Sequence, residues 1–196
     1  MKKSIINIEL ALKQRPLYPT HSHDPKFWEA LGRTVATFGF LEEVLAKAIF
    51  ALTGTREYPE SEIEGAYNKW QLTIKKALSD PLGALIDTFN KEIKNHPKST
   101  ISNIDDLVED LKKVANQRNL LCHGSWRPPN EAGKSVPFFV NRKNEFSETA
   151  IDVSFLLQTQ RHVAELCMVI MNTVTHMGWQ FPGSNGPGNP IWISKS

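Results

Sequence analysis

Cysteine is scarce: two residues in 196, Cys122 and Cys167. Two are too few to staple a small secreted scaffold, and both fall inside apolar helical patterns where a reduced, half-buried thiol is the usual state. A long hydrophobic run is missing too. No stretch approaches the ~20 apolar residues that cross a bilayer. The opening Met1-Lys2-Lys3-Ser4-Ile5-Ile6 imitates a signal peptide, but Asn7 and Glu9 interrupt it and no small-residue cleavage site follows. These absences predict a cytoplasmic protein with no membrane contact. Charge of one sign is also lacking, since 23 Lys+Arg stand against 21 Asp+Glu, a net of +2. That balance permits a local nucleic-acid patch without demanding one. Metal and cofactor signatures are absent as strings: no Cys-x-x-Cys, no His-Glu-x-x-His, no glycine-rich phosphate loop, no dinucleotide fingerprint and no Gly-x-Ser-x-Gly elbow. The expectation is that no metal and no cofactor is used.

What is present is helical periodicity. Asp24-Pro25 reads as an N-cap followed by proline at the first helical position, and Gly54 as a C-cap. Between them Phe27, Leu31, Val35, Phe38, Leu45, Ile49 and Leu52 form an inward stripe. Gly32 and Gly39 would let a neighbouring helix approach closely. A second helix is expected over about Ser61–Leu78 with Ile63, Tyr67, Trp70, Ile74 and Leu78 inward. A third opens at Asp80-Pro81 and stops at His96-Pro97. A fourth begins near Ser102-Asn103 and ends at Gly124, and a last runs from Asp152 or Ser154 to Met177 before Gly178. Between the last two, Val136–Val140 and Glu145–Thr149 read as a small β-hairpin. The tail from Trp179 on is rich in Gly and Pro and cannot be helical.

The predicted architecture is therefore all-α: one domain over residues 1–196, an up-and-down bundle of four to five helices at 24–178, a hairpin insertion at 125–152 and an irregular tail at 179–196.

Chemistry concentrates at the end of the fourth helix. Continuing the stripe Leu107, Leu111, Val114 brings Arg118, Leu121 and Cys122 to the inward positions, so a guanidinium stands on or beside the apolar row. An unpaired charge there is costly. Glu42 interrupts the stripe of the first helix in the same way, and the two should meet, with His123 as the other partner Glu42 could reach. Arginine offers a permanent fork to phosphate oxygens, and histidine exchanges a proton near neutral pH. The plain alternative is a histidine serving the helix C-terminus and an arginine held in a structural ion pair. His21-Ser22-His23 has a metal-like spacing but reads better as the approach to the Asp24 cap. Cys122 has no base beside it and reads as packing.

Arg118-Asn119-Leu120-Leu121-Cys122-His123 resembles the Arg-x(4–6)-His motif of the HEPN superfamily, in which the residue after the arginine is commonly polar. Gly39-Phe40-Leu41-Glu42 is similar to a feature of bacterial members. The resemblance implies an all-α bundle and a metal-independent endoribonuclease, often a toxin or defence component, with its active site built across a homodimer. On that reading His123 is the general base, Arg118 stabilises the transition state, Asn119 orients one of the two and Glu42 supports them. Trp126 beside the site would stack a base, and Arg127, Arg142 and Lys143 would track the RNA backbone. An antitoxin or other regulatory protein is the further partner it suggests. The alternatives are a catalytically silent HEPN-like module for protein interaction or nucleotide binding, and a helical small-ligand binder.

Overall fold

The computed structural model describes residues 13–97, 99–141 and 143–184. Five α-helices stand out among them: α1 (Pro25–Gly54), α2 (Ile63–Ala77), α3 (Leu82–Lys94), α4 (Ile104–His123) and α5 (Val153–His176). No helix among the described residues is long and apolar enough to cross a membrane.

The longest helix, α1, spans about 45 Å at 1.5 Å per residue and packs against each of the other four. Its N-terminus is capped as its sequence predicts, with the Asp24 carboxylate accepting from Lys26 N at 2.7 Å. Phe38, Leu41, Leu45, Ile49 and Leu52 are fully enclosed, and Phe89 and Ile86 of α3, Leu111 of α4 and Leu156 and Ile170 of α5 close round them. The tightest pairing joins α1 to α5. There Thr34, with no exposure, donates its hydroxyl to the carbonyl of Leu156 at 3.1 Å or of Ala30 at 2.8 Å. The α5 cap also follows expectation: Asp152 accepts from Phe155 N at 2.8 Å, and Gly178 adopts φ +91° just beyond the C-terminus.

Four expectations are corrected. The stripe of α2 is not a core stripe, because the helix packs chiefly on α1 alone. Ile63, Tyr67 and Leu78 stay exposed, Trp70 and Ile74 are half-covered, and only Ala77 is buried. Val35 on α1 is likewise at the surface. Gly32 and Gly39 admit no close neighbour, since a Cβ at either would meet open space. Asp80 does not cap α3; Pro81 takes the cap position with no side-chain hydrogen bond.

The β-hairpin does not form, and no strand appears among the described residues. The segment makes isolated antiparallel bridges instead: Ser125 to Phe138, Ser135 to Ile151 and Val140 to Phe146. Pro137 has no N–H to donate in the middle of the proposed strand, and the groups around it pair with three separate partners. The turn expected at Asn141–Asn144 is real. Asn141 Oδ1 accepts from Lys143 N and Glu145 N at 2.8 and 3.0 Å, and Asn144 takes φ +61°. Of the tail, residues 179–184 are irregular, with Phe181 buried; residues 185–196 lie outside the described residues.

Candidate functional site

The last turns of α4 carry the residues of interest. Leu107, Leu111, Val114 and Leu121 point into the core, and Arg118 occupies the position between the last two. At that point α4 is nearing the rim of the bundle, so the Arg118 side chain is 31% exposed and escapes full desolvation. Its Nη2 lies 3.7 Å from Glu42 Oε1 on α1, whose side chain is 32% exposed. The predicted encounter of these two groups is therefore present, at the rim and not in the core. The separation is an ion-pair distance, longer than a direct charged hydrogen bond of ~2.7–2.9 Å, which leaves the guanidinium fork largely uncommitted. Asn119, exposed, sets its Oδ1 3.5 Å from Arg118 Nη1, at the outer limit of a hydrogen bond.

His123 is the final residue of α4 and is exposed. Among the described residues its side chain makes no hydrogen bond, ion pair or ring contact. At 100° per residue, His123 lies about 140° around the α4 axis and ~7.5 Å along it from Arg118. The two therefore leave α4 on different faces. Cys122, expected inward, is exposed: it follows the apolar row of α4, but it sits in the last turn of the helix, at the rim of the bundle.

The chain beyond His123 is held firmly. A Cβ on Gly124 would stand 2.6 Å from the Leu120 carbonyl oxygen and 2.8 Å from Pro137 Cβ, so only glycine passes between the helix end and the loop. Ser125 then exchanges hydrogen bonds of 2.9 and 2.8 Å with Phe138. Trp126 does not offer an open stacking face. It is half-buried in an aromatic cluster, edge-on to Phe27 at 5.0 Å and to Trp28 at 6.3 Å. His23 completes that cluster, stacked on Phe27 at 4.7 Å and only 8% exposed. Burial lowers its pKa below the ordinary 6.5. Reading His21–Asp24 as a mere approach to a cap missed it; the signal was the aromatic pair Phe27-Trp28 one turn later.

The basic residues are divided. The Arg127 guanidinium lies over the Phe138 ring, 5.2 Å from its centroid, in an exposed cation–π contact. Lys143 is exposed at the turn, and Arg142 lies outside the described residues. Phe138 and Phe146 form an exposed aromatic pair with centroids 5.8 Å apart, rings that the hairpin reading had treated as strand positions. Among the described residues no three His, Cys, Asp or Glu side chains gather as metal ligands would. Comparison with known proteins yields no match to this chain, whether among family models, curated proteins or solved structures.

Proposed function

We propose that this chain is a metal-independent endoribonuclease of HEPN type that works as a homodimer, as a toxin or defence component held in check by an antitoxin or regulatory protein. The observation that carries the reading is the pairing of an exposed imidazole, His123, without a partner among the described residues, with a half-buried arginine five residues earlier whose fork Glu42 only partly engages. The motif resemblance supplies the substrate class. Because one chain directs the two groups apart, a second copy is what would bring an imidazole and a guanidinium onto one phosphate.

In that arrangement neutral His123 takes the proton from a ribose 2′-hydroxyl. The 2′-oxygen attacks phosphorus, the bond to the 5′-oxygen breaks, and the leaving oxygen takes a proton from the protonated His123 of the second copy. The products are a 2′,3′-cyclic phosphate and a free 5′-hydroxyl. Arg118 faces the charge that builds on the phosphate oxygens, and Asn119 and Glu42 hold its fork. Arg127, Arg142 and Lys143 track the backbone. Base catalysis of this kind contributes ~10²–10⁴-fold, and charge stabilisation ~10²–10³-fold.

The test is cleavage of RNA by purified protein in EDTA, with the cyclic phosphate identified on the product. His123→Ala and Arg118→Ala should each lose activity by those factors. Undiminished cleavage by a clean His123→Ala preparation would end the proposal. A second reading, a silent helical module for protein interaction or nucleotide binding, is favoured by the Glu42–Arg118 pair itself, which already gives the arginine a structural role. It expects no cleavage from the parent protein.

A further inference from the structure

The segment that follows α4 turns an apolar side outward. Along it burial alternates with the pleat: Ser135 and Pro137 are buried and Phe139 is half-buried, whereas Val136, Phe138 and Val140 are exposed. Ser125 and Arg127 are exposed in the same way, with Trp126 half-buried between them. Antiparallel pairing gathers these outward residues on one face. Ser125 opposes Phe138, and the Arg127 guanidinium lies over the Phe138 ring at 5.2 Å. Val140 opposes Phe146, and the two phenyl rings stand 5.8 Å apart. Phe146 is 64% exposed and Phe138 49%. Apolar side chains gathered in one exposed patch, not scattered singly, mark an interaction surface.

The position and charge of the patch indicate what it meets. Phe138 exchanges both backbone hydrogen bonds with Ser125, a pairing that sets Cα atoms ~5.5 Å apart, and Ser125 lies two residues beyond His123. Phe138 is thus no more than ~13 Å from His123, Cα to Cα. At ~3.4 Å per stacked nucleotide, a few nucleotides of RNA span that distance. Arg127 puts a positive charge on the patch itself, and Lys143 is exposed at the turn before Phe146. The carboxylate of Glu145, next to Phe146, is turned to Asn141, accepting from its Nδ2 at 2.7 Å. Aromatic faces beside a guanidinium hold nucleic acid by stacking on bases and by attraction to phosphate. Only an unpaired base has a free face to offer, since in a duplex both faces are covered by neighbouring bases.

We propose that Phe146 and Phe138 are base-stacking residues, holding an unpaired RNA base while Arg127 meets the phosphate beside it, and that the ligand is accordingly single-stranded. The proposal rests on the ribonuclease reading for RNA as its ligand. It gives this pair the role that Trp126, turned into its own cluster, does not fill.

The test is binding of a fluorescent single-stranded 2′-O-methyl oligoribonucleotide, followed by anisotropy. That probe lacks the attacking hydroxyl, so binding is read without cleavage. Phe146→Ala and Phe138→Ala should each weaken binding ~5- to 100-fold. Helix content should not change, because both rings stand at the surface. Phe146→Trp should keep the affinity, and Phe146→Leu, with apolar bulk but no ring, should lose it as alanine does. Three results overturn the proposal: a duplex of the same sequence bound as tightly as the single strand, Phe146→Ala binding like the parent, or Phe146→Leu binding like the parent. The last would assign the patch to apolar contact with a protein. Cleavage of unmodified RNA separates this proposal from the reading it rests on. Phe146-dependent binding by a protein that leaves RNA intact ends the ribonuclease reading and keeps the stacking pair. Cleavage with the same KM in parent and Phe146→Ala ends the stacking pair and keeps the ribonuclease.

Discussion

The sharpest consequence of the packing concerns His23, a residue outside the candidate site. Its ring is buried against Phe27, Trp28 and Trp126, and neither Nδ1 nor Nε2 has a hydrogen-bond partner. The adjacent Asp24 carboxylate is spent on the α1 cap. A neutral imidazole has one donor and one acceptor, and each buried unsatisfied polar group costs ~1–3 kcal/mol. His23→Phe keeps an aromatic ring in the cluster without those groups, so at pH 7.5 it should stabilise the fold by about 1–3 kcal/mol, a rise of ~2–4 °C in Tm per kcal/mol for a chain of this size. The pH dependence has a definite sign. Burial holds the folded pKa below the 6.5 of the unfolded chain. Above 6.5 both states carry a neutral ring and nothing is lost. As pH falls below 6.5 and on through the folded pKa, the unfolded state gains the proton first, so stability drops by up to ~1.4 kcal/mol per pH unit. Urea unfolding of parent and His23→Phe proteins, followed by circular dichroism between pH 7.5 and 5, isolates this contribution in the difference between them. Parallel curves, or a variant less stable than the parent at pH 7.5, would show that the imidazole nitrogens are satisfied and the reasoning mistaken.

Two further outcomes follow from local geometry. Gly124→Ala drives a methyl group into the Leu120 carbonyl and the Pro137 ring, so it should cost about 1–3 kcal/mol in urea unfolding and expose residues 125–138 to amide exchange; an unchanged midpoint refutes the close approach. The two thiols should separate cleanly. Cys122 should react with a disulfide reagent in the native protein, whereas Cys167, buried and with its pKa pushed up to about 11, should react only on unfolding, and two fast thiols would contradict its burial.

Much of the helical frame was legible because its signals are local. Asp24 and Asp152 cap, Gly178 turns the chain at positive φ, and the rows on α1, α3, α4 and α5 recur at helical spacing because each meets a neighbour. The errors arose where the outcome depends on what lies opposite. An apolar row on α2 has the same period whether or not a second helix covers it, so Ile63, Tyr67 and Leu78 could not be told from core residues. The hairpin failed for a related reason. Alternating residues at 136–140 satisfy the strand pattern, yet their hydrogen bonds go to Ser125 and Ser147, and those of Ser135 to Ile151, which no spacing rule anticipates. Trp126 was placed beside the site by its distance in sequence from His123, whereas its ring turns back to Phe27 and Trp28.

The same distinction governs the candidate site. Arg118 and Glu42 could be matched in advance because each breaks an apolar row, and a charge forced toward a core must find its opposite; the cost of not doing so is several kcal/mol. His123 obeys no such constraint, since an exposed imidazole at a helix end can stand alone at no cost. Its role is therefore decided by a surface outside the chain: a phosphate, a second copy, or water alone. A motif spaced at five residues on a straight helix separates its two groups by about 140°, so the spacing by itself argues against a pocket within one chain. It argues for a composite pocket only if α4 of a second copy lies alongside, where the His123 of one chain can approach the Arg118 of the other. Activity that falls on dilution in step with dissociation of a dimer is what separates that arrangement from a lone histidine on a structural helix.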